Sequence, residues 1–289
     1  MKRIKFYLPI LALLAISFVS CEKDEVTERL TVDALDVASA STLSEQTVVD
    51  MQTMGEEALP PSLKSTTTED SLIVPSRDRF RFNGDSTSIT IDFGTGVECR
   101  DGRIRKGKII ITRNLSPTSD SVGNVIVFTT DGYVVNGNKV SITKTVTCKG
   151  WTVDNEFPNG YLLYDVVVED GIIERANGDI ITVNVNHTRK LVAFEGGYRF
   201  AGWVIGGTST HQIERSVSGK IIGATNTISR ELQRPLRYHH FIAGEVDITY
   251  LSGESVTVDY GTGNLFDKAT WGKRKIVRSG NDMESQEQD

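Results

Sequence analysis

Ser88-Ile-Thr-Ile-Asp-Phe-Gly-Thr-Gly96 and Ser255-Val-Thr-Val-Asp-Tyr-Gly-Thr-Gly263 are the same nine-residue phrase written twice, with every difference conservative in size and polarity. Ile89, Ile91 and Phe93 alternate with Thr90 and Asp92, the period of two that marks a half-buried strand. Gly94 and Gly96, like Gly261 and Gly263, then supply a sharp turn. Such agreement predicts two related β-units, one beginning near Asp78 and the other finishing near Val277.

Between the two copies the same alternation recurs. Strands are predicted over Ser86–Phe93, Lys106–Thr112, Asn124–Thr130, Lys139–Thr147, Gly160–Glu169 and Asp179–His187. Further ones follow over Tyr198–Ile205, Lys220–Ile228, Glu245–Tyr250, Ser255–Tyr260 and Lys273–Val277. Asp131-Gly132, Asn136-Gly137, Asn159-Gly160, Asn177-Gly178 and Ser252-Gly253 punctuate them as tight turns. The chain of 289 residues carries 26 glycines against 7 prolines, and no stretch of the body reads as a ten-residue amphipathic helix. Parallel strands would need long crossovers, so the expected fold is all-β, an antiparallel meander forming a sandwich or a partly rolled sheet over residues 76–280.

The segment before the body is different. Residues 22–75 hold twelve acidic residues against Lys23, Arg29 and Lys64, and no aromatic side chain. Residues 21–75 are therefore expected to form a flexible acidic stalk. Within it, Val48, Met51 and Gly55 share one helical face, which predicts a short helix over Ser44–Glu57, with Ser44 capping Thr47 and Pro60-Pro61 beyond its end. The stalk, a slightly basic body and residues 281–289, an acidic tail expected to be disordered, suit either a soluble surface protein or one that binds an anionic partner.

The first twenty residues read as an address. Lys2, Arg3 and Lys5 precede an apolar run from Phe6 to Val19, and Ser20 stands before Cys21. That is a positive, apolar and cleavable leader too short to span a bilayer. Ser17-Phe18-Val19-Ser20-Cys21 resembles a bacterial lipobox, which implies cleavage before Cys21 and acylation of that cysteine, with Phe18 departing from the usual pattern. Glu22-Lys23-Asp24-Glu25 resembles the tag that exports lipoproteins of Bacteroides-like bacteria to the cell surface. The body adds to the likeness: the Ile-Asp-Phe-Gly strand, Gly102–Ile109 and Asp131–Gly137 resemble uncharacterised surface lipoproteins of those bacteria. The resemblance implies an outer-membrane, lipid-anchored protein exposed at the cell surface, and no activity. The partners expected are the membrane, through the N-terminal lipid, and a glycan or an envelope protein; no nucleic acid is expected.

With Cys21 assigned to lipid, Cys99 and Cys148 remain as a pair, either a disulfide or two buried thiols. Ser71, Ser86 and Ser121 follow aspartates in a pattern resembling an O-glycosylation sequon of the same bacteria. Arg77, Arg79 and Arg81, then Arg103 and Arg105, form a candidate patch for an anionic ligand; the competing reading is a charged sheet edge that prevents aggregation. Trp151, Trp203 and Trp271, with Tyr161, Tyr198 and Tyr238, are either sugar platforms or packing residues.

Chemical motifs are scarce. Asp92-Phe93-Gly94 spells a kinase tripeptide without its companions, and Gly206-Gly207 opens no helix. His187, His211, His239 and His240 lie in no nucleophile or chelate pattern, and Glu169, Asp170, Glu174 and Asp179, close together in the sequence, are either paired carboxylates of a glycan-active protein or, the favoured reading, solvated acids at strand edges and turns. No catalytic residue, metal or cofactor is expected.

Overall fold

The structure is a computed structural model that describes residues 24–58, 80–82, 87–114, 122–194, 200–236, 241–270, 276–279 and 282–287. Among the described residues one α-helix, α1 (Asp24–Ala58), is followed by fifteen strands. They are β1 (Phe80–Phe82), β2 (Ser88–Asp92), β3 (Val97–Glu98), β4 (Ile104–Arg113), β5 (Val125–Val135), β6 (Asn138–Ser141) and β7 (Thr143–Thr152). The longer second half comprises β8 (Tyr161–Glu174), β9 (Ile180–Ala193), β10 (Phe200–Glu214), β11 (Ile221–Pro235), β12 (Ala243–Tyr250), β13 (Ser255–Thr262), β14 (Ile276–Ser279) and β15 (Asp282–Glu287).

All fifteen strands belong to one antiparallel sheet in near-perfect chain order. The protein is therefore all-β in its body, an antiparallel meander held in one sheet rather than in the two sheets of a sandwich. β3 adds a short extension to β4, while β6 and β7 share the place between β5 and β8. That division occurs at Ile142, whose N–H is taken by the Thr130 hydroxyl at 3.0 Å, so the single strand expected over Lys139–Thr147 is broken in two. The expected disordered tail instead carries β15, paired with β14.

The two copies of the repeat occupy β2 and β13, near opposite ends of this one sheet. They share a local device. The Asp92 carboxylate accepts the Gly94 N–H at 2.8 Å, and Asp259 accepts that of Gly261 at 2.7 Å. Both glycines have positive φ, 58° and 94°, which a side chain would make costly.

The chain divides into two units, residues 1–36 and residues 37–289. In the second unit the C-terminal part of α1 lies against one face of the sheet. Val37, Ala40, Ser44, Val48, Met51 and Met54 are buried. Gly55 approaches so closely that an added Cβ would stand 2.6 Å from the Phe128 ring and 3.2 Å from Ile111. The helix ends at Ala58, two residues before Pro60-Pro61. It is longer than predicted, and residues from Val37 onward are part of the body rather than of a stalk. Ser44 is not a cap: its hydroxyl donates to the Ala40 carbonyl at 2.8 Å, as Thr47 does to Leu43 at 2.7 Å, so both polar side chains are satisfied inside the helix.

The face that receives α1 carries Ile89, Ile91, Phe93, Ile109, Ile111, Phe128, Val146, Val166, Val183 and Val185, all buried. The other face of β9 and β10 carries Thr182, Asn184, Asn186, Thr188, Thr208, Thr210 and Gln212, a polar and partly or fully exposed set. A second core of Phe157, Tyr161, Val192, Ala201, Val204, Ile242 and Leu265 closes one end of the long strands.

Candidate functional site

The chemistry-bearing side chains converge where α1 meets the sheet. Strand alternation places Arg105, Lys144, His187, Arg189, Ser209, His211 and Asn226 inward, in phase with the aliphatic residues, and all seven are buried. The helix answers with Ser41, Glu45, Asp50 and Gln52.

Three groups of contacts follow. At one end, Arg105 grips both oxygens of Asp101 at 2.7 Å, donates to Tyr133 Oη at 3.1 Å and reaches Asp50 of α1 at 3.3 Å. Arg103 also donates to Asp50. Burial raises the Asp101 carboxyl, yet the Arg105 hydrogen bonds and charge outweigh it and hold the group below its ordinary value. For Asp50 burial wins over Arg103 and Arg105, and its carboxyl is raised.

In the middle, Gln52 Oε1 accepts from Arg189 at 2.6 Å and from Lys144 Nζ at 3.2 Å. Lys144 also donates to the helix carbonyl of Val48 at 2.8 Å and lies 5.0 Å from the Phe128 ring centre. Beyond this, the Glu45 carboxylate stands 3.7 Å from His187 Nε2 and 3.8 Å from His211 Nε2. Asn226 donates to the Ser41 hydroxyl. Burial pushes both imidazoles below their usual value, with Glu45 opposing. Burial pushes Glu45 up, but His187, His211, Ser209 and Arg189 together bring it below its ordinary value.

Ser209, His211 and Glu45 have the composition of a hydrolytic triad but not its geometry. A triad needs the nucleophile on one ring nitrogen and the acid on the other. Here Ser209 Oγ, 3.0 Å away, and Glu45 both approach Nε2, while Nδ1 has no hydrogen-bond partner among the described residues and so no orienting group there. Among the described residues no group of three His, Cys, Asp or Glu side chains is arranged to hold a metal ion. What the arrangement does is seat a helix of acidic charge in a basic trough.

A separate cleft of about 450 Å³ is lined by Glu156, Arg230, Glu231, Gln233, Ala243, Thr262 and Gly263. Arg230 is engaged by Asp259 at 2.9 Å, Glu245 at 3.1 Å and the Gly261 carbonyl at 2.8 Å. Glu231 pairs with Lys190 at 3.0 Å, whose ammonium lies over Phe157 and Tyr161.

The residues singled out in the sequence are dispersed. Arg103 and Arg105 do not form a surface patch, because both turn onto Asp50 and Asp101 and Arg105 is wholly buried. Arg81 lies on β1 opposite Thr90, while Arg77 and Arg79 fall outside the described residues, as do Cys21, Ser71, Ser86, Ser121, Trp271, Tyr198, Tyr238, His239 and His240. Cys99 and Cys148 are buried thiols, not a disulfide. Cys99 sits beside the Arg105 end of the β4–β5 ladder and Cys148 beside the Arg113 end. About ten residues of β5 separate those ends, about 30 Å at strand rise, where a disulfide requires Cα atoms within about 7 Å. Trp203 is buried and Trp151 is 48 % exposed. Asp179 is structural: it accepts from Ser216 N at 2.9 Å, from Asn177 and from Arg215, and so braces two neighbouring turns.

No protein family, curated protein or solved structure matches the chain.

Proposed function

We propose that the chain is a lipid-anchored protein of the cell envelope, exposed at the surface, whose sheet is a non-catalytic interaction module. The observation that carries this reading is the state of the interior. The charged groups that would make chemistry there are held by α1 in mutual pairs, and Ser209–His211–Glu45 lacks an orienter among the described residues. The polar outer face of β9 and β10 supports attachment through Cys21 rather than through the strands.

Labelled palmitate and protease added to intact cells test this reading. Label should enter the wild-type chain and be lost in Cys21→Ala, and the body should be cleaved without lysis. Failure of labelling removes the anchor, and protection until lysis removes the outward placement.

The cleft between Glu156 and Thr262 favours a second reading, glycan binding. Glu156, Glu231, Gln233 and Thr262 offer acceptors and donors suited to hydroxyl groups. On a glycan array, retention that is lost in Gln233→Ala would support it, and absence of retention would leave the interaction module alone.

A further inference from the structure

The cleft beside β11 has a neutral floor and a rim of unbalanced charge. Gln233, Ala243 and Thr262 stand opposite one another on β11, β12 and β13, so one row crosses three strands with its smallest side chain in the middle. The outer two of these strands lie about 10 Å apart, which leaves a groove between the Gln233 amide and the Thr262 hydroxyl, each able to donate and to accept. A second row, Arg230, Glu245 and Asp259, crosses the same strands beside it. Among the described residues both cations here are engaged. Arg230 donates to the Gly261 carbonyl at 2.8 Å, to Asp259 at 2.9 Å and to Glu245 at 3.1 Å. Lys190 is paired with Glu231 Oε2 at 3.0 Å and lies over the Phe157 and Tyr161 rings. The carboxylates are not matched in the same way. Among the described residues the exposed Glu156 carboxylate has no hydrogen bond or ion pair, and Glu231 Oε1 takes no hydrogen bond. Burial raises the Tyr161 phenol, and the negative charges of Asp154, Glu231 and Glu156 raise it further. The charge left over at this cleft is therefore negative, the reverse of what the arginine pairs suggest in the sequence.

We infer that the cleft takes a saccharide carrying a free amino group, whose ammonium is received by Glu156 and Glu231 while its hydroxyls meet Gln233 and Thr262. The inference rests on the glycan reading of this cleft and names the class of glycan. An acidic sugar would bring a carboxylate to carboxylates, with both described cations already paired, and an N-acetylated sugar would leave Glu156 without a counter-charge. Selection thus comes from charge at the rim, and the neutral floor supplies contacts that any hexose can use.

Titration calorimetry on the full chain tests it, with the glucosamine tetramer, its N-acetylated counterpart, the galacturonic acid tetramer and tetralysine as probes. The glucosamine tetramer is expected to bind about tenfold more tightly than the other two sugars, and to weaken as salt rises. Glu156→Gln, at an exposed side chain that no described contact uses, should weaken it by about three- to fivefold and leave the N-acetylated sugar unaffected. Glu98→Gln, which removes one exposed charge on β3, should change neither. Binding of the N-acetylated or the acidic tetramer as tight as that of the glucosamine tetramer overturns the inference and leaves the glycan reading standing. Failure of all three sugars overturns both. Tetralysine bound as tightly as the glucosamine tetramer overturns the inference as well, because charge alone would then account for recognition.

Discussion

Removing the Asp101 carboxylate tests whether the buried guanidinium of Arg105 is held by charge rather than by packing. Arg105 has no accessible side-chain surface and takes both oxygens of Asp101 at 2.7 Å, while its other acidic neighbour, Asp50, is farther off at 3.3 Å. Breaking one partner of a buried pair costs about 3–5 kcal/mol because the remaining charge stays out of water. Asp50 offsets part of that, which puts Asp101→Ala at about 3 kcal/mol. For a body of this size each kcal/mol lowers the midpoint by about 2–4 °C, so the expected fall in Tm is about 6–12 °C. The double variant Asp101→Ala/Arg105→Met should lose less than Asp101→Ala alone, since no orphaned cation remains. The sign of the pH dependence follows from the lowered Asp101 carboxyl. Its contribution is complete above the ordinary aspartate value near 4 and is lost as pH falls through the lower folded value. Urea titrations of wild type and Asp101→Ala should therefore converge in acid. An Asp101→Ala cost below about 0.5 kcal/mol at neutral pH, or a double variant worse than the single, refutes the reasoning.

Three further outcomes are expected. Both buried imidazoles are lowered, so acidification below about pH 6.5 favours the unfolded chain; stability should be complete above that pH and decline beneath it, less steeply in His187→Gln/His211→Gln, as read from urea midpoints at pH 7.5 and 5. Gly55→Val should cost about 1–3 kcal/mol by thermal melting, because its Cβ would press on the Phe128 ring. A reducing agent should leave the melting temperature unchanged, and a thiol reagent should react with Cys99 and Cys148 only on unfolding.

The meander was legible in the sequence because each strand carries its own alternation and its own glycine turn, and because short turns leave antiparallel neighbours as the only pairing. The seat of α1 was not. Glu45, Asp50 and Gln52 interrupt the apolar face of the helix, and Lys144, His187 and Arg189 interrupt the apolar face of the strands. Each interruption alone reads as surface, and only the pair explains both. One signal did exist: His187 and Arg189 continue the inward phase of Ile181, Val183 and Val185, so a buried charge could have been inferred from register alone. The pairing of Arg103 and Arg105 with a helix residue more than fifty positions upstream had no local trace.

The connectivity sets an order of assembly. Strand pairing in this sheet closes short loops between chain neighbours, whereas seating the helix joins Ser41 to Asn226 across 185 positions and Gln52 to Arg189 across 137. Loops of that length are entropically the most demanding, so α1, although it precedes the strands in the chain, is the last element to find its place.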